Sequence, residues 1–350
     1  MEGHSEFIVT ADSIFTANGL ETGVALGIKD GYIDDINDIS RFHRDTGVLN
    51  FAGYRVTPCF CDYHLHFFKG TSEIEKITAA VISQGITKVY EGGDRHLYSM
   101  EIQGKVKDRF EIKTAGYAIY KKGTYGEYIG RGVSNSEEAQ NVIDRLSLDG
   151  VDYIKVINSG VFLSSTGEIS SGGFNFHELK QIVDYANANG LDVVCHANGE
   201  RAVQEAIEAG VSWLVHGLRV PDKALAFMAK KGIAFIPTVN AFASLASLAT
   251  EKDALLNIQK AVDQHLSAVK KASDMNVKVL PGSDSGPAII PYGSSYHKEL
   301  TLFRKAGIPD ETILLSAAAG VLKKGAKADF LVLDGLMVKK VFIRGRCISG

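Results

Sequence analysis

The sequence has few cysteines, no excess of charge of one sign and no long apolar run. The four cysteines are too few for a disulfide framework in a chain of 350 residues: Cys59, Cys61, Cys195 and Cys347. The 38 Lys and Arg against 41 Asp and Glu give a net charge of -3, which provides no basic field for nucleic acid or anionic lipid. The N-terminus lacks the features of a secretion signal, and no stretch approaches the roughly 20 apolar residues of a membrane span. These absences predict a cytoplasmic protein that acts on a small molecule.

Two histidines stand two residues apart at the end of an apolar run, in Tyr63-His64-Leu65-His66. Residues two apart on a strand point to the same side, so both imidazoles can bind one metal ion. Four more residues of ligand type lie at or near the ends of separate apolar runs: Lys155, His196, His216 and Asp284. This pattern predicts a metal-dependent hydrolase. The other histidines lack companions at ligand spacing and are predicted to be surface residues: His4, His43, His96, His177 and His265.

Short runs rich in Val, Ile, Tyr and Phe alternate with segments of helical period. Eight such runs begin near Tyr54, Ile86, Ile112, Val151, Leu191, Val211, Ile233 and Val277. The helical segment from Phe176 to Ala188 ends at Gly190, and Ser134 with Glu137 three residues later predicts a capping box at another helix start. Eight strand-helix alternations predict an α/β fold with a parallel (β/α)8 TIM barrel over residues 56–320.

The two ends of the chain have a different pattern. Residues 6 to about 55 contain short alternating strands separated by turn residues, and Ala328 to Gly345 has the same character. We expect residues 1–55 and 321–350 to form one small β-sandwich domain beside the barrel.

The barrel prediction brings the six candidate ligands together. Active sites of such barrels lie at the C-terminal mouth, and the six residues fall at the ends of the first, fourth, fifth, sixth and eighth strands. A free lysine has a pKa of about 10.4 and is cationic at neutral pH, so it cannot bind a cation. Lys155 is therefore either modified or outside the metal site.

The chain resembles the amidohydrolase superfamily. The resemblance rests on Val56-Thr57-Pro58 with His64-Leu65-His66, Ile154-Lys155-Val156, Cys195-His196-Ala197-Asn198-Gly199, Val215-His216-Gly217, Gly282-Ser283-Asp284-Ser285-Gly286 and the tail from Gly325 to Asp334. From Phe174 to Val239 the chain is most similar to the branch of imidazolonepropionase-like enzymes and Xaa-Pro dipeptidases. Val215 stands where that branch often has an acidic residue.

The resemblance implies a binuclear centre of two divalent metal ions. It puts His64, His66 and Asp284 on one ion, His196 and His216 on the other, and a Lys155 carboxylated by CO2 between them. Zinc suits these ligands, although manganese, iron, cobalt or nickel would also bind. The implied reaction is hydrolysis of an amide C–N bond in a dipeptide, an N-acyl amino acid or a cyclic amide by a metal-bridging hydroxide, with Asp284 as the catalytic proton carrier.

Two other functions stay open at this point. A mononuclear deaminase of a heterocycle would use Glu200 after the fifth strand, but such deaminases generally lack a lysine on the fourth strand. A non-catalytic relative would have lost the ligands, and this chain keeps all six residue types.

The loops after the strands are expected to provide the substrate contacts. The candidates are Tyr125, Asn198, Arg219, Tyr292 and His297. Arg219 is the preferred partner of a substrate carboxylate. The segment from Asn158 to Phe174 is predicted to form a wall or lid. The sequence leaves a homo-oligomer open.

Overall fold

The computed structural model describes residues 6–68 and 71–349. The chain divides into two compact units, the first formed by Met1–Cys61, Ile77–Lys88 and Pro309–Gly350, the second by Asp62–Lys76 and Val89–Ile308. The first unit includes both predicted sandwich segments together with flanking residues. The predicted domain boundaries stay a prediction.

Nineteen strands are described. They are β1 Glu6–Thr16, β2 Gly19–Glu21, β3 Ala25–Lys29, β4 Tyr32–Asn37, β5 Gly47–Pro58, β6 Phe60–Leu65, β7 Ile86–Glu91, β8 Glu111–Thr114, β9 Ala118–Lys121, β10 Gly130–Val133, β11 Ile154–Ile157, β12 Phe162–Leu163, β13 Glu168–Ile169, β14 Val193–Ala197, β15 Trp213–His216, β16 Ala234–Ile236, β17 Phe330–Asp334, β18 Met337–Ile343 and β19 Arg346–Ser349.

Ten α-helices and two short 3-10 helices are described. The α-helices are α1 Thr71–Ser83, α2 Tyr98–Val106, α3 Ser136–Asp149, α4 Phe176–Ala188, α5 Glu200–Ala209, α6 Asp222–Lys231, α7 Val239–Ser244, α8 Lys252–Asp274, α9 Ser294–Lys305 and α10 Asp310–Ala317. The 3-10 helices are Ile39–Arg41 and Leu245–Ser247. Within residues 6–68 and 71–349, none of the helices combines the length and apolar character that crossing a bilayer requires.

The first unit contains an eight-stranded sheet of order β19-β18-β17-β5-β1-β3-β4, with β2 paired to β1. Strands from both ends of the chain pair directly, with Val332 opposite Val56. The buried side chains of Val9, Leu26 and Phe342 belong to its core, and such burial contributes about 1.5–3 kcal/mol for each large side chain. A separate β-sandwich domain stays a prediction.

This sheet corrects one predicted barrel strand. The run near Tyr54 belongs to β5, which pairs with β1 and β17. The strand that carries His64 is β6, which begins at Phe60 and lies in a three-stranded sheet with β7 and β8. Pattern alone could not separate the two strands, because only Cys59 lies between them.

The second unit contains a parallel sheet of order β10-β9-β11-β14-β15-β16. Helices α4, α5 and α6 each connect two successive strands of this sheet. The buried residues Leu179, Ile182, Val183 and Ala186 recur at helical spacing on α4. At the eighth predicted strand the structure describes a bridge from Phe235 to Val279, so closure of the barrel stays a prediction.

Candidate metal centre

Four of the six predicted ligands, the histidines, lie at the carboxyl ends of strands or directly after them, whereas Lys155 is the second residue of its strand and Asp284 follows the bridge at Val279 by five residues. His64 lies in β6 and His66 follows it, whereas Lys155, His196 and His216 lie in β11, β14 and β15. Parallel registry places Ile157 opposite His196 and Ala197 opposite His216. The amide of Asp284 donates to the carbonyl oxygen of His64 at 2.7 Å, which fixes the last ligand beside the first.

The four imidazoles form one continuous cluster. Ring centroids lie 4.9 Å apart between His66 and His64, 5.5 Å between His64 and His216, and 4.5 Å between His216 and His196. The Oδ1 atom of Asp284 lies 3.4 Å from Nε2 of His64 and 3.7 Å from Nε2 of His66. Ligand atoms of His64, His216 and Asp284 all lie within 4.8 Å of one another, which is close enough for a shared cation.

In three of the histidines, one ring nitrogen donates a hydrogen bond to a neighbouring acceptor. Nδ1 of His66 lies 3.0 Å from the carbonyl oxygen of Gly93, and Nε2 of His196 lies 3.1 Å from that of Gly160. A carbonyl can only accept, so each of these nitrogens carries the proton. The neutral rings therefore keep lone pairs on Nε2 of His66 and Nδ1 of His196, as metal ligands held by outer partners do.

His216 has the same arrangement through a hydroxyl group. Its Nδ1 lies 2.7 Å from Oγ1 of Thr238, and that hydroxyl donates to the carbonyl oxygen of Pro237 at 2.8 Å. A hydroxyl has one proton to donate, so Thr238 accepts the proton of Nδ1. The lone pair of His216 is consequently on Nε2.

The histidines are neutral because they are buried. Burial lowers the pKa of His66 to about 4 and that of His196 to about 3, and the positive charge of Lys155 contributes in the same direction. Burial also lowers the pKa of His64 and His216 well below the usual range. All four rings thus offer a lone pair at neutral pH.

Two buried polar atoms at this centre have no hydrogen-bond partner among the described residues, namely Nε2 of His64 and Nζ of Lys155. Leaving a buried polar group unpaired costs about 1–3 kcal/mol, so such atoms are expected where a ligand binds. Burial lowers the pKa of Lys155 to about 8, which raises the neutral fraction of the amine above that of an ordinary lysine, while the ammonium still predominates at neutral pH. Donor types, protonation states and unpaired atoms fit a divalent metal centre.

The backbone is strained at two of these ligands. His216 has φ of 68° and Asp284 has φ of 54°, in the left-handed region that non-glycine residues rarely adopt. The amide of Gly217 donates to the carbonyl oxygen of Val215 at 3.0 Å, so His216 is the central residue of a classic γ-turn, which is a strained conformation. Strain of this kind costs about 1–3 kcal/mol and concentrates at functional sites.

Acidic side chains and a glycine missed by the sequence analysis support the histidines. Asp62 accepts from the amides of His64 and Ser283 at 3.2 and 2.9 Å. Glu91 accepts from the amide of Gly93 at 3.0 Å. A Cβ on Gly92 would lie 2.5 Å from Cε1 of His64, so a side chain would displace this ring.

Comparison with known proteins identifies the family. The profile of the amidohydrolase family matches residues 55–348. The chain belongs to the amidohydrolase family. Uncharacterised proteins of Mycobacterium bovis and Mycobacterium tuberculosis are 29% identical over 115 residues, 32% of this chain. The matched region spans about a third of the length of these curated relatives, 31%.

Solved structures show that this amidohydrolase has the fold of the family. A Xaa-Pro dipeptidase with bound methionine is 20% identical with a TM-score of 0.83, covering 99% of this chain and 100% of the other. Ochratoxinase of A. niger is 19% identical with a TM-score of 0.79, covering 100% and 97%. A prolidase complexed with N-methylphosphonate-L-proline is 20% identical with a TM-score of 0.76, covering 98% and 99%. The likeness establishes a TIM-barrel-type fold of mixed α/β content.

Three of the five predicted substrate contacts lie against the histidines of this amidohydrolase. The ring centroid of Tyr125 is 5.5 Å from that of His196, and Nδ2 of Asn198 lies 3.4 Å from Nε2 of His196. The hydroxyl of Tyr292 donates to the carbonyl oxygen of His66 at 2.6 Å. Tyr125 borders the centre and Tyr292 braces the backbone of His66, whereas Nδ2 of Asn198 lies near a nitrogen of His196 that already carries a proton and does not donate to it. Contact with a substrate stays a prediction for all three.

Arg219 and His297 have other neighbours. Arg219 donates to the carboxylate of Glu168 at 3.1 Å and to the carbonyl oxygen of Gly167 at 2.5 Å, so its guanidinium is engaged by the β12-β13 hairpin. His297 lies in the first turn of α9 with its ring 6.0 Å from that of Tyr296. Their predicted roles in substrate binding also stay predictions.

One histidine is not where the sequence analysis placed it. His265 was predicted at the surface, but it is 1% exposed and its Nε2 donates to the carbonyl oxygen of Pro237 at 2.9 Å. The prediction was wrong because His265 lies on the buried face of α8, a position that ligand spacing does not reveal. His43, His96 and His177 are exposed as expected, and His4 lies outside the described residues.

Proposed function

We propose that this protein is a metal-dependent amidohydrolase that cleaves an amide C–N bond of a small molecule. One observation carries the proposal: four neutral imidazoles, the carboxylate of Asp284 and the unpaired amine of Lys155 lie at one strand-end site, with outer partners fixing three of the rings. Membership of the amidohydrolase family supports the same reaction class.

The six ligand residues fit two divalent ions, most favourably zinc. His64, His66 and Asp284 would hold one ion, His196 and His216 the other, and a carboxylated Lys155 both. The neutral amine of Lys155 would attack the carbon of CO2 and lose one proton to water, giving an anionic carbamate. When bound, the ions would lower the pKa of a water molecule towards about 7 and polarise the scissile carbonyl.

Asp284 is suited to carry the proton of this reaction. Burial raises the pKa of Asp284 to about 7, while the positive charge of Lys155 opposes the rise. This pKa describes the metal-free site, and a bound cation would lower it. We propose that the carboxylate, placed beside the ions, accepts a proton as water attacks and returns it to the departing nitrogen. The returned proton matters because an amine anion is a very poor leaving group. Amide and water are thereby converted to a carboxylic acid and an amine.

The substrate we propose is a dipeptide, an N-acyl amino acid or a cyclic amide. Two aromatic rings border the centre and remain partly exposed: Phe68, 39% exposed, stacks on His66 at 5.3 Å, and Tyr125, 36% exposed, lies against His196. Their faces favour an apolar group beside the scissile bond. The dipeptidase and prolidase among the similar structures support an amide substrate.

The deaminase alternative gains no support from the structure. Glu200, which would assist a deaminase, is exposed as the first residue of α5. Lys155 lies fully buried at the centre, where a mononuclear deaminase has no use for it.

The test is metal content with and without Lys155. After reconstitution with zinc and bicarbonate, we expect two ions per chain and a native mass raised by one CO2. Lys155→Ala should lose the added mass and most activity, and short carboxylic acids should restore part of it. Lys180→Ala, on an exposed lysine, is the matched control.

A substrate screen separates the remaining reactions. The zinc-loaded protein would be assayed with dipeptides including Xaa-Pro, N-acyl amino acids, cyclic amides and aminated heterocycles. Acid and amine release supports the proposal. Ammonia release without acid would replace it with a deaminase, and a chain that binds no metal after reconstitution would overturn it.

A further inference from the structure

A chain of hydrogen bonds connects the candidate ligand His216 to residues outside the centre. Nδ1 of His216 donates to Oγ1 of Thr238, whose hydroxyl donates to the carbonyl oxygen of Pro237. Nε2 of His265 donates to the same oxygen at 2.9 Å. The orientation of the His216 ring therefore depends on where the backbone at 237 and 238 is held.

Thr238 is held in a conformation that it would not adopt by itself. Its φ is 49°, and a β-branched residue in this region is a genuine outlier. Thr238 is also fully buried. A strained backbone conformation persists only when the surrounding structure fixes it. The groups that fix Thr238 therefore also determine how its hydroxyl contacts His216.

Glu299 is the group that fixes the chain after Thr238. It comes from α9, is 0% exposed, and accepts from the amide of Val239 at 2.9 Å and from that of Asn240 at 2.7 Å. These are the first two amides of α7, which Thr238 directly precedes, and no residue within the helix could accept from them. One buried carboxyl group thus anchors the backbone immediately after the residue that orients His216.

Burying the carboxyl group of Glu299 at this position lowers the stability of the fold. Among the described residues, none of the ion pairs includes Glu299, and burial raises its pKa to about 8. A buried acidic group without a cation destabilises a fold unless its oxygens are well used. Its two backbone contacts are next to the metal centre, which gives it a function that a neutral apolar side chain could not perform.

We infer that Glu299 is a positioning residue of the metal centre. By anchoring Val239 and Asn240 it holds Thr238 where its hydroxyl accepts the Nδ1 proton of His216, so that His216 presents Nε2 to the site. Among the described hydrogen bonds of Glu299, those to Val239 and Asn240, none involves His216. The part of the inference that concerns metal affinity rests on the proposed function, and the part that concerns the His216 tautomer does not.

The first test is zinc affinity, measured by competition with a chromophoric chelator. Glu299→Gln retains one acceptor and turns a donor towards the second amide, so we expect about 10- to 100-fold weaker binding of one ion, as for other outer-partner changes. Thr238→Val, which removes the hydroxyl at constant shape, should do the same, whereas Thr238→Ser should stay close to wild type. Glu299→Asp is a second, milder variant that would reach one amide.

A double-mutant cycle shows whether Glu299 acts through Thr238. If it does, Glu299→Gln should weaken zinc binding in the wild-type background but cause little further loss in Thr238→Val. Asn135→Ala, which removes the side-chain cap of α3, is the matched control, because it lowers stability without a contact to the histidines. Independent, additive losses from Glu299→Gln and Thr238→Val would overturn the inference.

The second test needs no metal. In chelator-treated protein with ¹⁵N-labelled histidine, NMR should find His216 protonated on Nδ1 in wild type and in Asn135→Ala. The Nε2-protonated form should become populated in Glu299→Gln, Glu299→Asp and Thr238→Val. An unchanged tautomer in both Glu299 variants would overturn the inference. If wild-type protein binds no zinc but the tautomer shifts, the proposed function fails and the positioning role stands.

Discussion

Asp284 combines three properties that make it the most informative single residue of the centre. Its carboxylate lies within 3.7 Å of two imidazole nitrogens, its pKa is raised to about 7 by burial, and its backbone is in the left-handed region. A metal ligand needs only the first of these properties. The raised pKa of the metal-free site shows that burial disfavours the lone carboxylate, so a cation bound beside it would be favoured.

Asp284→Asn should separate proton transfer from metal binding. We expect kcat to fall by about 10²- to 10⁴-fold, because the amide cannot carry a proton, while most of the zinc is retained through the histidines. Turnover and zinc content of the same preparation are the measurements. Asp263→Asn, on the exposed face of α8, should leave both unchanged. Near-normal turnover of Asp284→Asn would remove the catalytic role of this residue.

The sequence could indicate the candidate ligands better than the groups that orient them. The six ligand types follow apolar runs, and a strand end is recognisable from local pattern. The supporting role of Asp62 could also have been predicted, because Asp62 stands two residues before His64 on a strand and therefore faces the same side. The roles of Thr238 and Glu299 could not be predicted from the sequence. Thr238 meets His216 across 22 positions and Glu299 meets Asn240 across 59, and no local pattern encodes such contacts.

At the scale of elements, helix ends followed local chemistry. Gly210 and Gly232 end α5 and α6 in left-handed conformations, as glycines past a last helical turn commonly do. The predicted capping box at Ser134 was wrong, because the helix begins one residue later and the side chain of Glu138 accepts from the amide of Ser134, which is not the N-cap. Asn135 is the N-cap of α3, and its side chain accepts from the amide of Glu138 at 2.9 Å. Ser134 and Asn135 are both of a type favoured at an N-cap, and the sequence alone does not show which of them has the backbone conformation of the N-cap.

The segment predicted to form a wall or lid contains a β-hairpin that its sequence composition did not indicate. Residues 158–174 include the β12-β13 hairpin, which Arg219 holds through Glu168 and Gly167. Asn257 of α8 also donates to the carbonyl oxygen of Ser164 at 3.0 Å. The same segment provides the Gly160 carbonyl that fixes His196. A hairpin of two residues per strand with many serines and glycines has too little periodicity to be recognised in sequence.

Arg219→Ala should loosen this hairpin without unfolding the protein. The pair is exposed, so we expect the free energy of unfolding to change by at most about 1 kcal/mol. Hydrogen exchange in residues 161–170 should accelerate by up to about fivefold, because that energy is concentrated in a local opening. Arg201→Ala breaks an exposed pair with Glu205 on α5 and should leave hairpin exchange unchanged. Equal exchange in both variants would show that Arg219 does not hold the hairpin.

At the scale of the whole molecule, the candidate ligands belong to one compact unit. The second unit contains all six ligands, together with an apolar cluster that includes Val194, Val215 and Ile236. The first unit has its own cluster around Val56 and Phe330. The sequence predicted that both chain ends join one β structure, and β5 and β17 do pair. It could not predict the exact bounds of the units, because those depend on packing between distant segments.

Metal binding should therefore stabilise the two units unequally. An ion that binds only the native state at 100 times its Kd adds about 2.7 kcal/mol to the free energy of unfolding. We expect zinc to slow amide exchange in β14 and β15, which carry His196 and His216, and to leave β1 and β17 unchanged. Exchange measured by mass spectrometry with zinc and with chelator tests this.

The distribution of protection is the decisive part of that measurement. His196→Ala should abolish most of the zinc-dependent protection in β14 and β15, whereas the exposed His177→Ala should preserve it. Equal protection of β1, β17, β14 and β15 would mean that both units open together, and the unequal stabilisation would be wrong. Protection absent from β14 and β15 would contradict zinc binding at this centre, because an ion held by residues of these strands must oppose their opening.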